Sequence, residues 1–198
     1  MSKRFTGNFP RVERDYYGTP AEAVAPLAPY LRRDNVHTFY EPCRGQDRLK
    51  LGLETHGFTC SYAGDIAFGQ DALKLTTADL NGADCGVTNP PYRRPEDKPR
   101  TKRLLADLTQ HFLDLGVPFW LLVDTDWMAN LAAVPFLPWC RDIVMVGRIQ
   151  WYPGSESTSS DNFAWYGFDP RTRDFGTAVH NNRVRGKHRY VDPFVLTP

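Results

Sequence analysis

The order of apolar and polar residues along the chain predicts strands separated by helices. The clearest helix is residues 101–116, in which leucines and a phenylalanine recur at the helical period until Gly116 ends the pattern. The next run, residues 117–125, is almost continuously apolar, which is typical of a strand buried on both faces of a parallel sheet. Shorter patterns predict strands at 37–42, 58–66, 83–89, 142–152 and 162–168, and helices at 47–57 and 126–134.

The first helix is expected to be short or kinked. In residues 19–31, Thr19 is a candidate cap, Pro20 suits the first helical position and Glu22 completes a capping box. Two further prolines inside this segment argue against a long regular helix.

Strands that alternate with helices indicate an α/β fold, a doubly wound and mostly parallel sheet with helices on both faces. The last two strands are joined by the polar segment 153–161, which has no helical pattern, so we expect a C-terminal antiparallel hairpin. Residues 1–18 form an irregular, basic N-terminal arm in this interpretation. Residues 19–198 then form a single domain, because no domain-scale linker interrupts them.

Composition narrows the class of protein. The 41% hydrophobic and 24% charged residues are ordinary for a soluble globular chain. No apolar run approaches the roughly 18 residues of a spanning helix, and the N-terminus has no signal-like pattern. We therefore expect a cytoplasmic protein without membrane contact. The four cysteines form no CxxC pair and the five histidines show no ligand-like spacing, so no metal site is expected.

The net charge of +1 conceals a clustering of basic residues. The first basic cluster follows the strand at 83–89, and a second lies at 183–189. Such clusters can contact nucleic-acid phosphates or simply face solvent. The first cluster consists of Arg93, Arg94, Lys98, Arg100, Lys102 and Arg103.

Polar or conformationally special residues follow four of the predicted strands. They are 41–45, Asp65, 89–92 and 124–126. In doubly wound folds, ligands bind at the carboxyl ends of the strands. The sequence therefore predicts a site along one edge of the sheet.

The sequence Asn-Pro-Pro-Tyr at 89–92 suits recognition of a planar amine. Its two prolines stiffen the chain and remove two backbone donors. The Asn89 side-chain oxygen and the Pro90 carbonyl are two acceptors, which match the two hydrogens of an NH2 group. Tyr92 offers a flat face to a ring. An exocyclic amine on a heterocycle fits this arrangement, and so does a planar amide.

Together with motifs upstream, this tetrapeptide resembles a known family. The segments DYYGTP (15–20), EPCRGQDRL (41–49) and GQDALKL (69–75) occur in the order found in class I S-adenosylmethionine-dependent amino methyltransferases. The resemblance is greatest to the N6-adenine DNA methyltransferases of the stand-alone kind common in phages and prophages, and it spans roughly residues 15–170.

The resemblance implies a Rossmann-like methyltransferase fold, S-adenosyl-L-methionine as cofactor and DNA as partner, or RNA on the same chemistry. It implies that the target base is flipped out of the helix and that the first basic cluster contacts phosphates. The implied catalytic residues are Asn89, Pro90, Pro91 and Tyr92. The implied cofactor-binding residues are Tyr17, Thr19, Pro20, Glu41, Pro42, Cys43, Gly45, Asp65, Ile66, Asp71, Ala72 and Asn89. Among these, Asp65 would bind the ribose hydroxyls, and Asp71 would accept from the cofactor's adenine amine.

One residue departs from the family pattern. Asp47 stands where the second glycine of the cofactor loop is expected, and Arg44 and Arg48 beside it could neutralise Asp47 or reach the cofactor carboxylate. Other interpretations stay open. Asp65 and Asp71 could be helix caps, and the chain could be a protein-glutamine methyltransferase or a degenerate nucleic-acid-binding protein of the same fold.

Overall fold

The structure is a computed structural model of the 198-residue chain, and it describes residues 18–92, 103–151, 158–173 and 176–181. Within these ranges the helices are α1 (Ala21–Val24), α2 (Ala28–Arg33), α3 (Arg48–Thr55) and α4 (Arg103–Asp114). The strands are β1 (Thr38–Glu41), β2 (Thr59–Ala63), β3 (Cys85–Thr88), β4 (Phe119–Asp124), β5 (Cys140–Arg148), β6 (Asn162–Phe168) and β7 (Ala178–His180).

The described strands form one seven-stranded sheet in the order β2-β1-β3-β4-β6-β5-β7. The pairs β1–β2, β1–β3, β3–β4 and β5–β7 are parallel. Strand β6 is antiparallel to both β4 and β5. The sequence-based expectation of a mostly parallel sheet with a late antiparallel hairpin is therefore confirmed.

The sheet has a topological switch point between β1 and β3. The chain passes from β1 outward to β2 and then returns to place β3 on the other side of β1. The connections that follow β1 and β3 therefore run in opposite directions along the sheet. Open α/β sheets bind ligands in the crevice expected at the carboxyl ends of two such strands.

Two apolar cores cover the two faces of the sheet. On β4, Trp120 and Leu122 face the core that contains α1, α2 and α3, whereas Leu121 and Val123 face the core that contains α4. This alternation explains the continuous apolar run in the sequence, because a strand buried on both faces needs apolar residues at every position. Helices on both faces are thus confirmed.

The first helical segment is broken, as the prolines predicted, into α1 and α2. The expected capping box is wrong, because Pro20 is the residue at the cap position and no side chain caps α1. The tertiary structure holds α1 instead. The indole N–H of the fully buried Trp165 donates to the Ala23 carbonyl at 2.6 Å and ties α1 to β6.

The helix expected at 126–134 is wrong as well. The structure has a 3-10 turn at Trp127–Ala129 and further turns after it. Trp127 packs into the core that contains α4, where its ring centroid lies 5.1 Å from that of Tyr166 and 6.0 Å from that of Phe168. Packing of one large aromatic residue therefore outweighs the weak helical pattern of a short segment.

Strand β7 was not predicted. Its three residues are too few to show an apolar period, and tertiary contacts hold it. His180 lies 2.8 Å from the Asp142 carboxylate and its ring centroid is 4.7 Å from that of Tyr30. Among the described residues, no helix has the length and apolar character that crossing a bilayer requires.

Replacement of Gly86 by alanine is expected to destabilise the protein by about 1–3 kcal/mol. An added Cβ would lie 2.7 Å from the hydroxyl oxygen of Tyr40, a ring that is fully buried between β1 and α4. The measurement is urea unfolding of the variant and of the double variant Gly86→Ala/Tyr40→Ala. Removal of the ring should cancel most of the cost of the methyl group, and additive losses would contradict this explanation.

Candidate active site

Parallel strand direction brings the predicted segments to one edge of the sheet. Glu41 ends β1, Asn89 follows β3, and Asp124 ends β4. Asp65 lies two residues beyond the end of β2. These are neighbouring strands in the sheet, so the structure gathers at the switch point the four segments that the sequence singled out.

The loop after β1 is fastened to the end of β2. The Arg44 N–H donates to the Gly64 carbonyl at 2.9 Å, and the Gly64 N–H donates to the Glu41 carbonyl at 2.9 Å. Gly45 has a φ of 52°, a left-handed conformation that glycine adopts without steric cost. Its N–H donates to the Asp65 carboxylate at 2.9 Å.

The buried side chain of Asp65 holds this loop by hydrogen bonding. It is 8% exposed, and its second carboxylate oxygen accepts from the Ala67 N–H at 2.8 Å. It thereby caps the 3-10 turn Ile66–Phe68. The capping interpretation of Asp65 is confirmed, while its role toward a ribose stays a prediction.

The structure accommodates Asp47 in the place of the expected glycine. Asp47 has a φ of 59°, which aspartate tolerates better than most residues. Arg44 donates to its carboxylate at 3.2 Å and lies over the ring of Phe68 at 4.3 Å. Arg48 instead packs against Gly18, where a side chain would collide with it. Of the two basic neighbours, Arg44 is the one that neutralises Asp47.

Glu41 is a buried carboxyl with an unpaired oxygen. It is 1% exposed, and its Oε2 atom has no hydrogen-bond partner within the described residues. Burial, followed by the negative charges of Asp47 and Asp65, raises the pKa of Glu41 well above its ordinary value, while the backbone N–H of Lys50 acts in the opposite direction.

Replacement of Glu41 by glutamine is expected to make stability less dependent on pH. Because the pKa of Glu41 is raised in the folded state, its contribution is complete below about pH 4.5 and is lost as pH rises toward the folded-state pKa. The variant should therefore gain stability relative to wild type above pH 4.5, with a limiting slope of about 1.4 kcal/mol per pH unit. Unfolding at pH 4 to 8 measures this difference, and a constant difference would contradict it.

The Asn-Pro-Pro-Tyr segment is braced by two neighbouring elements. The Tyr92 hydroxyl accepts from the Asp124 N–H at 3.2 Å, and the Tyr92 carbonyl accepts from the Leu105 N–H at 3.2 Å. Asn89 is half-buried, and within the part of the chain that the structure describes its side chain has no hydrogen bond. The segment is thus held at Tyr92 while the Asn89 amide stays available.

Other residues implied by the family resemblance surround this crevice. Thr19 and Pro20 are buried next to Gly18, which contacts the start of α3. Cys43 is half-buried, and burial raises the pKa of its thiol to about 12, with the Asp65 and Glu41 charges adding to it. Pro42 is buried in the same loop.

Asp71 caps a turn in the same way as Asp65. The Asp71 carboxylate accepts from the Leu73 N–H at 3.0 Å and caps the 3-10 turn Ala72–Lys74. Ala72 packs against the core that contains α4. Capping by Asp71 is confirmed, while its contact with an adenine amine stays a prediction.

Several predicted residues lie outside the described residues. They are Tyr17 and the five basic residues that follow the Asn-Pro-Pro-Tyr segment, which are Arg93, Arg94, Lys98, Arg100 and Lys102. Arg103 is described, and it is an exposed residue at the start of α4.

Sequence reasoning missed Phe68. Phe68 is 58% exposed and Ile66 is 60% exposed, so two apolar side chains stand beside Asp65 in solvent. The signal was an aromatic residue shortly after a strand, in a segment that otherwise reads as a loop. Arg44 lies over one of these side chains, the ring of Phe68, and so links the loop after β1 to the exposed apolar residues after β2.

A groove of about 530 Å³ lies at the opposite edge of the sheet, at the amino ends of β3 and β4. Its charged groups already have partners in the protein. Arg141 pairs with Asp169 at 3.1 Å, and Arg33 pairs with Asp142 at 2.7 Å. The switch-point crevice, by contrast, holds an unpaired buried carboxyl oxygen. Among the described residues, no group of three or more histidine, cysteine or acidic side chains could hold a metal ion.

The sheet order with its antiparallel strand β6, and the switch point between β1 and β3, define a Rossmann-like α/β fold. The chain is similar in structure to a candidate class I S-adenosylmethionine-dependent methyltransferase from Listeria monocytogenes, at 12% identity and a TM-score of 0.51, covering 80% of this chain and 62% of that one. It is also similar to a candidate RNA methyltransferase from Pyrococcus horikoshii, at 12% identity and a TM-score of 0.51, covering 82% of this chain and 90% of that one.

No protein-family model and no curated protein sequence matches the chain. At 12% identity, the two structural similarities establish the fold. Function must therefore be argued from the site.

Proposed function

We propose that the protein transfers a methyl group from S-adenosylmethionine to the exocyclic N6 amine of adenine in DNA. The observation that carries this proposal is the available Asn89 amide on a segment that is braced at Tyr92, next to the loop that Asp65 holds at the switch point. The structural similarity to methyltransferases supports the choice of cofactor.

Residues at the switch point suit the charged sulfonium and the flat adenine ring of S-adenosylmethionine. The Asp65 carboxylate and the unpaired acceptor oxygen of Glu41 lie at this edge of the sheet, and both would favour a bound cation. The exposed side chains of Ile66 and Phe68 offer an apolar surface to a flat ring. When bound, the cofactor supplies an electrophilic methyl group on a sulfonium sulfur.

Asn89 and Pro90 would orient the target amine. An adenine amine is a poor nucleophile because its lone pair is delocalised into the ring. Hydrogen bonds from its two N–H groups to the Asn89 side-chain oxygen and the Pro90 carbonyl favour the pyramidal form, in which the lone pair is localised. Catalysis of this kind works by orientation and electrostatics, without a strong base.

Tyr92 would set the target ring in place. Its hydroxyl is held by the Asp124 backbone, so the ring does not have to be ordered when the substrate binds. An adenine within a duplex must leave the base stack to reach this segment. The basic residues that follow in sequence, of which Arg103 is described, would contact the phosphates.

A transfer assay with radiolabelled cofactor tests the proposal. Unmethylated DNA, RNA and a mixture of translation release factors are offered in parallel, and the modified residue is identified by digestion. Label on N6 of DNA adenine is the expected result. Label on RNA or on a glutamine amide alone would overturn the choice of substrate. Absence of cofactor binding at millimolar concentration would overturn the enzymatic function.

A further inference from the structure

Glu41 occupies a place where a buried carboxyl is costly to ionise. It is 1% exposed, and no described residue donates a hydrogen bond to its Oε2 atom. A carboxylate in such a place loses its hydration with only the Lys50 backbone N–H in compensation, whereas a neutral carboxyl loses much less. In the free protein the geometry therefore favours the protonated acid.

The charged groups around Glu41 come from the loop, from α3 and from β2. The negative charges of Asp47 and Asp65, after burial itself, raise its pKa well above the ordinary value, and Lys50 on α3 opposes them. The thiols of Cys43 and Cys60 lie close to Glu41, and the negative charge of an ionised Glu41 raises the pKa of both. A positive charge bound in this environment would lower the pKa of Glu41 and favour its ionised form.

The position of Glu41 in the sheet places it near the reacting atoms. Strand β1 pairs with β3, with Tyr40 opposite Gly86, so Glu41 lies beside Val87 and two residues short of Asn89. With a strand spacing of about 4.8 Å and a rise of about 3.3 Å per residue, the Cα atoms of Glu41 and Asn89 are about 8 Å apart. A sulfonium whose methyl group reaches the amine held by Asn89 therefore lies within strong Coulombic range of Glu41.

We propose that Glu41 selects the charged methyl donor over the uncharged thioether product, because it is protonated in the free protein and ionises when the sulfonium binds. This inference rests on the proposed function. The O–H bond of the carboxyl breaks, its proton passes to the solvent, and the electron pair stays on the carboxylate. S-adenosylhomocysteine lacks the sulfonium charge, so its binding releases fewer protons.

The linkage has a definite sign. Binding that releases a proton strengthens as pH rises, up to the pKa of Glu41 in the free protein. The affinity for S-adenosylmethionine should therefore rise with pH relative to the affinity for S-adenosylhomocysteine, by at most about tenfold per pH unit, which is the limit for one additional proton released. The amino group shared by the two ligands titrates with wild type and variant alike, so comparison of the two proteins removes its contribution.

Isothermal titration calorimetry of both ligands tests this directly. Each titration is run at pH 6, 7 and 8 in phosphate and in Tris, whose different ionisation enthalpies reveal the number of protons released. The proteins are wild type, Glu41→Gln and the matched control Glu54→Gln, which changes an exposed residue of α3 that pairs with Lys50 at 3.5 Å. Wild type and the control should release more protons with S-adenosylmethionine, and Glu41→Gln should release equal numbers with both ligands.

The outcomes separate this inference from the proposed function. Equal proton release with both ligands in wild type, or an unchanged difference in Glu41→Gln, overturns the role of Glu41 while leaving the cofactor assignment intact. Binding of neither ligand to wild type overturns both. If Glu41→Gln does not fold, the two-buffer measurement on wild type decides alone, because a pH-independent affinity ratio overturns the inference.

Discussion

Replacement of Asn89 by alanine is expected to slow methyl transfer by about 100- to 1000-fold, the loss typical of removing one preorganised hydrogen-bonding group from a transition state. The physical reason is the loss of one of two acceptors that orient the amine. Within the described residues the Asn89 amide has no partner, so its removal should change the free energy of unfolding by less than about 0.5 kcal/mol.

The measurements are single-turnover methyl transfer and urea unfolding on the same preparation. Asn162→Ala is the matched control, because Asn162 is exposed at the start of β6 and belongs to no predicted motif. The control should keep full activity. Transfer at the wild-type rate by Asn89→Ala would refute the assignment of Asn89, and a large loss of stability would show that its side chain is structural.

Replacement of Asp65 by alanine is expected to affect both the loop and the cofactor. Its carboxylate accepts from the N–H groups of Gly45 and Ala67, and loss of both acceptors should destabilise the free protein by about 2 kcal/mol. Because Gly45 would no longer be held in place, the affinity for S-adenosylmethionine should fall by about 100-fold. That factor corresponds to a loss of about 2.7 kcal/mol of binding free energy.

Asp71→Ala is the comparison for stability, because Asp71 caps a similar turn with a single bond to the Leu73 N–H and does not bridge to the loop. Its loss should cost about 1 kcal/mol. Thermal unfolding without ligand and calorimetric binding distinguish the two roles of Asp65. A variant that is as stable as wild type but does not bind would assign Asp65 to the ligand alone. One that still binds tightly would exclude the role toward the cofactor, and one that is also as stable as wild type would exclude both roles.

The elements that the sequence predicted best are those in which side-chain pattern and burial coincide. The run at 117–125 became β4 because a strand between two helical layers needs apolar residues on both faces. The leucine period of 101–116 became α4 because a helix that covers one face of the sheet needs a single apolar stripe. Where a large residue had a better place in the core, as Trp127 had, local pattern failed. Strand β7 had too few residues to show any pattern.

Side-chain pattern predicted most of the strands and placed the motifs at strand ends, although it missed β7 and predicted a helix at 126–134 that the structure lacks. Periodicity and proline chemistry are local, so 41–45, Asp65 and 89–92 could be placed on the same edge before any contact was known. The hydrogen bond between Asp65 and Gly45 and the ion pair between Arg44 and Asp47 could be recognised only in the folded chain. The unpaired, buried state of Glu41 also depends on it, because burial and charge pairing arise from residues distant in sequence that meet only when the sheet closes at its switch point.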